Sequence, residues 1–311
     1  MRTISATDAA FAGFKLIRSN PAIVLMWTLV SFLFALGLIV MLGLFVGGPI
    51  MSLAQLRSGA EPSPEQIASL VLTLLPAILL MIPLALIFNG VMVAGVNRAI
   101  LRPKEKGFFY LRLGGDEMRL ALVLLIQGLA TFAIDMAGQM LQFAVVGGGS
   151  LAAGAMENDT AMGGMFFVGL LLRFVSIGVL IFLSVRFCLA APQSFATKSI
   201  NIFGPWSLTK GRFWTIVGAY LLSGVIVAVI ILLVGGVAVA IGVGAFMAAG
   251  LANMTGEAAL MQNLPTIVGF VAAAAVVYGL LITFANTVIY AVAPNLYQQI
   301  VGADDPSAVF S

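Results

Sequence analysis

Two residues of this sequence are charged where charge is costly. Asp135 and Arg173 each lie well inside a long apolar run. Asp135 is fifteen positions past Leu120, where its run begins, which makes it about 22 Å deep at about 1.5 Å per helical residue. Arg173 lies thirteen residues before Arg186, which marks the same end of the next run, and is about 20 Å deep. Consecutive runs are antiparallel, so both charges reach nearly the same level. An unpaired charge at that depth costs several kcal/mol, and the spacing predicts an Asp135–Arg173 contact.

Asp135 has polar company. Gln127, Thr131, Asp135 and Gln139 recur every four residues, with Gln142 close by. Such a stripe runs down one helix face and must meet protein or water rather than lipid. Thr283, Asn286, Thr287 and Tyr290 of the last run, and Asn89 of the second, could complete a polar cavity of the kind a transporter needs. The same groups also work as hydrogen-bonding glue between helices. That reading is favoured, because one Asp and one Arg can satisfy each other.

Other chemistries lack their residues. The absence of His removes the commonest general base and metal ligand. The single cysteine, Cys188, excludes an intrachain disulfide and reads as packing at the end of a run. No cluster has metal-ligand spacing, and no cofactor is expected. Gly147-Gly148-Gly149 follows no strand and precedes no Lys, so it reads as a loop rather than a phosphate cradle. Asp116 and Glu117 stand where a helix begins, Asp116 as its cap and both favoured by the dipole. Asp304 and Asp305 belong to a short polar tail. An enzyme acting on lipid headgroups is therefore the least supported class.

The elements that would position these residues are membrane helices. Of 311 residues 61% are hydrophobic and only 9% charged, against about a quarter charged in soluble domains. Six apolar runs reach the length of about 20 residues that a span needs: 21–46, 67–96, 120–146, 162–191, 215–241 and 266–293. The sequence predicts one all-α domain, a polytopic bundle of six transmembrane helices. Pro76 and Pro83 predict a kink in the second span, and Pro192 and Pro294 predict the ends of the fourth and sixth. The first run, behind Arg2, Lys15 and Arg18, is too long for a signal peptide and reads as a retained span.

The basic residues set the orientation. Arg98, Arg102, Lys104, Lys106, Arg112 and Arg119 fall in 97–119, and Lys198, Lys210 and Arg212 in 192–214. The alternate loops carry only Arg57, with Glu61, Glu65, Glu157, Asp159 and Glu257. Both termini and the two basic loops are therefore expected in the cytoplasm.

Three units of about 96 residues are discernible, each an aromatic-basic lead-in followed by a helical hairpin. Phe14, Tyr110 and Trp206 hold matching places. The lead-ins, about 7–19, 104–116 and 197–212, read as short amphipathic helices lying flat at the headgroups. In the first, Thr7 or Asp8 caps, and Phe11, Phe14 and Ile17 form the apolar side. In the third, Pro205 suits a first helical turn, and Trp206, Phe213 and Trp214 suit the interfacial aromatic belt. Lys210 and Arg212 can reach lipid phosphates there, with Arg186 and Lys198 at the same interface, although positive-inside topology with ordinary anchoring is favoured over specific headgroup binding. Gly236, Ala240 and Gly244, and Gly269 with Ala273, form small-residue stripes that suit packing within the bundle or between copies.

One stretch has a family-like signature: Arg186 at a span end, then Leu189-Ala190-Ala191-Pro192, then Trp206, Leu208, Thr209, Lys210, Gly211 and Trp214 entering a span. It resembles the glycerophosphoryl diester phosphodiesterase membrane-domain family and related six-span proteins of the bacterial inner membrane. The resemblance covers about thirty residues and implies a membrane fold and setting, not phosphodiesterase activity. The expected function is non-catalytic engagement of membrane lipids or partner proteins through the aromatic-basic elements. Membrane lipids are the expected partners, with protein partners or a second copy as further candidates and no nucleic acid. The alternative is a small-solute or lipid transporter built on Asp135 and Arg173.

Overall fold

A computed structural model describes residues 4–55, 64–155, 159–251, 254 and 257–304. Among these residues the fold is all helical, with one isolated β-bridge between Phe108 and Leu111. The helices are α1 (Ala6–Ala10), α2 (Ala12–Ser19), α3 (Ala22–Gln55), α4 (Pro64–Leu101), α5 (Gly115–Gln142), α6 (Gly148–Ala155), α7 (Asp159–Phe187), α8 (Ala190–Thr197), α9 (Gly204–Leu208), α10 (Phe213–Ala248), α11 (Glu257–Tyr290) and α12 (Val292–Asp304). Six of the helical segments are long and apolar enough to cross a membrane, so the chain is a multi-pass membrane protein. Three antiparallel hairpins result, α3–α4, α5–α7 and α10–α11, with α4 packed on α5 and α11 on α3.

The helices outrun the apolar spans. α10 has 36 residues and so is about 54 Å long, against about 30 Å of hydrocarbon. Most of the burial lies at one end of them. All four clusters of buried apolar residues lie in the half nearer the termini and the two basic loops, here called the basic end. Toward the other end each hairpin covers little beyond the stripe facing its own partner helix, and Leu232, Val237 and Ile241 of α10 are exposed. Lipid tails are as apolar as these side chains, so nothing drives the far halves together. Gly236, Gly244 and Gly269 face open space there, so the small-residue stripes do not serve packing within the bundle.

Several expectations are corrected. Pro192 and Pro294 do not end spans. α7 stops at Phe187 and α11 at Tyr290, and each proline sits in the first turn of the following helix, where its missing N–H costs nothing. α4, by contrast, remains one span through Pro76 and Pro83, as expected, and is not broken into two half-spans. Gly147-Gly148-Gly149 is not a loop: a five-residue π turn, Phe143–Gly147, leads from α5 straight into α6. In a setting without water the backbone keeps its own hydrogen bonds, glycine or not. Residues 56–63, with Arg57 and Glu61, and the tail from Asp305 lie outside the described residues.

The first lead-in forms two short helices that pack on the bundle. α1 and α2 bury Ala9, Ala10, Ala12, Gly13 and Leu16 against α10, α11 and α12, while Phe11 stays exposed. A Cβ on Gly13 would stand 2.4 Å from the Val288 Cα, so the small face is what lets α2 dock on α11. Ser5, not Thr7 or Asp8, caps α1 by accepting from the Asp8 N–H at 3.1 Å. The Lys15 ammonium, 3.1 Å from Asp8, and the Ser5 hydroxyl hold that carboxyl below its ordinary value. The second lead-in, 104–116, forms turns rather than a helix up to Gly115, with Gly107, Phe109 and Tyr110 at positive φ. The third contains α9, with Pro205 in its first turn as expected.

Candidate membrane-interface site

The family-like stretch folds into one compact element at the basic end. α7 ends, α8 turns away, a loop follows, and α9 leads into α10. Leu189, Ala190, Ala191 and Pro192 are all buried, so they pack rather than recognise. Lys198 closes α8 in the left-handed region, φ 53°. Asn201 then orders the loop: its N–H donates to Ser194 Oγ at 3.1 Å, and its Oδ1 accepts from the Gly204 N–H at 2.7 Å. Gly211, φ +75°, makes the turn from α9 into α10, a conformation that glycine reaches without a Cβ clash.

Arg186 is the centre of this element. Its guanidinium lies 5.1 Å from the Phe182 ring centroid and 5.3 Å from that of Trp206. Its Nη1 donates to Thr209 Oγ1 at 3.3 Å, and the Thr209 hydroxyl donates in turn to the Pro205 carbonyl at 3.0 Å. Phe187 stacks edge-on against Trp206 and Phe203, and Phe213 against Trp214. The outer members of the cluster are open: Phe203 is 75% exposed and Trp214 80%. Lys198 and Lys210 are exposed beside them, and Arg212 donates to the Leu208 carbonyl at 3.1 Å. Among the described residues no carboxylate pairs with Arg186, Lys198, Lys210 or Arg212. An exposed aromatic surface ringed by unpaired cations suits the boundary between acyl chains and anionic headgroups.

The intramembrane pair meets. Arg173 Nη1 stands 3.6 Å from Asp135 Oδ1, and Gln139 donates to Asp135 Oδ2 at 2.5 Å. Gln127 donates to the Phe187 carbonyl at 2.6 Å, tying α5 to the end of α7, and Thr131 bonds back to the Gln127 carbonyl at 2.9 Å. Gly138 lets the two helices close up, since a Cβ there would lie 2.9 Å from Ser176 Oγ. The stripe therefore satisfies itself within the α5–α7 hairpin. Thr283 and Thr287 lie elsewhere, on α11, with Thr287 donating to the Thr283 carbonyl at 2.7 Å, and Asn89 is exposed. A double-mutant cycle of Asp135→Asn and Arg173→Gln in detergent should give a coupling of about 1 kcal/mol. Strict additivity would mean that the pair contributes nothing to the hairpin.

A second polar centre has no counterpart in the sequence-based reading. Arg98 of α4 and Glu117 of α5, both nearly wholly buried, form an ion pair, and Arg98 Nη1 also donates to the Tyr110 carbonyl. Around them Arg102 and Arg119 reach Asp116 at 3.6 Å and 2.7 Å, and Arg112 reaches Glu105 at 3.6 Å. Arg102 stacks on Phe195 of α8 at 4.7 Å. Gly114, not Asp116, is the cap of α5, and its first-turn carboxylates serve arginines instead. Glu117 was legible as a first-turn acid, but its partner lies nineteen residues back, across an irregular loop. Among the described residues no three or more His, Cys, Asp or Glu converge as metal ligands. No family model matches this chain, and no curated protein or solved structure does either.

Proposed function

We propose that this chain is a non-catalytic protein of the bacterial cytoplasmic membrane, with both termini and both basic loops in the cytoplasm, which engages membrane lipids at that face. The observation that carries the proposal is the Phe203–Trp206–Trp214 surface ringed by Lys198, Lys210 and Arg212 without carboxylate partners among the described residues. The charge asymmetry between alternate loops supports the orientation. Protein partners or a second copy would meet the same face or the open glycine stripes of α10 and α11.

The test is lipid selectivity in reconstituted vesicles, read as quenching of tryptophan fluorescence by brominated phosphatidylglycerol against brominated phosphatidylcholine. Wild type should prefer the anionic lipid. Neutralising Lys198, Lys210 and Arg212 together to Gln should reduce that preference about tenfold or more, at about 1 kcal/mol per basic residue near the surface. An unchanged preference would remove the proposal's main support. The second reading is a transporter of small solutes or lipids. It draws on the incomplete cover of the intramembrane pair, whose Arg173 side chain is 48% exposed. Solute flux that stops with Asp135→Asn in a folded protein would favour it.

A further inference from the structure

Arg186 differs in kind from the other cations of its face. Lys198 and Lys210 project freely and need no fixed partner. The Arg186 guanidinium lies against Phe182 and Trp206, whose ring centroids are 6.1 Å apart, so the two rings wrap one side of it. A guanidinium carries five N–H donors, and only Nη1 has an acceptor among the described residues, the Thr209 hydroxyl. Its Nε is buried and has none. A buried, unmade hydrogen bond on a permanent cation is costly, and no nearby carboxylate repays it. The Arg98 Nε also lacks a hydrogen bond, but the charge of that arginine is answered by Glu117.

The group missing from Arg186 is an oxyanion. With Nη1 on Thr209, what remains is the Nε–Nη2 edge. That edge can donate two parallel hydrogen bonds, the fork that matches two oxygens of a phosphate, once the side chains that cover Nε give way. The element around it holds Arg186 through its bond to Thr209 and the Thr209 bond to Pro205. Lys210 follows Thr209 directly and supplies further positive potential.

We propose that Arg186 is a seat for one phosphate group, presented by a phospholipid headgroup whose acyl chains lie along the exposed apolar sides of α7 and α10. The inference rests on the reading of this face as headgroup-facing. It adds that binding there is saturable and fixed by geometry, not only a sum of surface charges.

The full chain, delipidated in a neutral detergent, is titrated with short-chain phosphatidylglycerol, diacylglycerol of the same chain length, or inorganic phosphate, and Tm is recorded. The expected result is a saturable rise in Tm with phosphatidylglycerol and none with diacylglycerol. A rise with inorganic phosphate equal to that with the lipid would keep the phosphate seat but assign it to free phosphate. Arg186→Gln should weaken the saturable response at least about tenfold. Arg186→Lys, which keeps the charge and loses the fork, should weaken it nearly as much while leaving the ligand-free Tm close to wild type.

Wild type that responds to none of the three ligands overturns the proposal, however the variants fold. So does a folded Arg186→Lys protein with the wild-type midpoint. If Arg186→Lys keeps that midpoint while the triple variant of Lys198, Lys210 and Arg212 loses anionic selectivity, the lipid-facing reading stands and the seat alone falls. If the triple variant keeps its selectivity, the lipid-facing reading is what fails.

Discussion

Glu117→Ala should destabilise the protein by about 3–5 kcal/mol, the range for removing one partner of a buried ion pair. Arg98 and Glu117 have side-chain exposures of 3% and 2%, so neither can fall back on water. Without Glu117, Arg98 keeps the Tyr110 carbonyl and a carboxylate of Glu105 that is 3.7 Å away and itself partly exposed. Guanidinium does not shed its proton at accessible pH, so the stranded charge stays charged. The helices cannot open to hydrate it cheaply. Gly90 of α4 sits so close to α5 that a Cβ would lie 2.8 Å from the Glu117 carbonyl oxygen and 2.9 Å from the Ala121 Cβ. Arg98→Met with Glu117→Leu should recover most of the loss, because removing both charges removes the desolvation penalty with the attraction. Thermal or denaturant unfolding in one detergent measures all three proteins. A loss below about 1 kcal/mol for Glu117→Ala would show that water reaches the pair and that α4 and α5 do not close over it.

That centre also shows where sequence reading stopped. The spans were legible because a bilayer imposes a length and a composition on any helix that crosses it. Asp135 and Arg173 were legible as neighbours because one hairpin and one rise per residue fix both depths. Arg98 was visible only as one more basic residue in a topology argument. Its pairing depends on how 103–114 folds, and that loop takes Phe109 and Tyr110 through left-handed backbone no propensity would assign them. The docking of α1 and α2 on the bundle was missed for a related reason. Phe11, Phe14 and Ile17 look like a membrane-facing side, but the decisive residues are the small ones, Ala9, Ala12 and Gly13, whose value lies in what they let approach. In the third lead-in, the residues with a family-like spacing turn out to hold one another. Trp206 and Thr209 both touch Arg186.

Trp27→Ala should cost about 3–5 kcal/mol, as for other fully buried large aromatics. Trp27 stands in the second turn of α3 and is wholly buried. Ala12 and Leu16 of α2, Met92 and Val96 of α4, Leu111 of the loop and Ala291 beyond α11 share its cluster, so one indole joins the lead-in to two hairpins. Room for it is made by Gly95, where a Cβ would lie 3.3 Å from the Trp27 Cζ2. Its second task is polar. Trp27 Nε1 donates to the Phe109 carbonyl at 2.9 Å, while Arg98 donates to that of Tyr110. Two buried donors thus hold two consecutive residues in a backbone region that costs each about 1–2 kcal/mol. Trp27→Phe separates the two tasks, because it keeps most of the packing and removes the donor. It should cost about 1–2 kcal/mol, within the range for one lost buried hydrogen bond. Both variants should speed tryptic cleavage after Lys104, Lys106 or Arg112 under native conditions, since the loop loses a restraint in each. If Trp27→Phe leaves the cleavage rate at the wild-type value, the Trp27 bond does not hold the loop, and Arg98 alone fixes its shape.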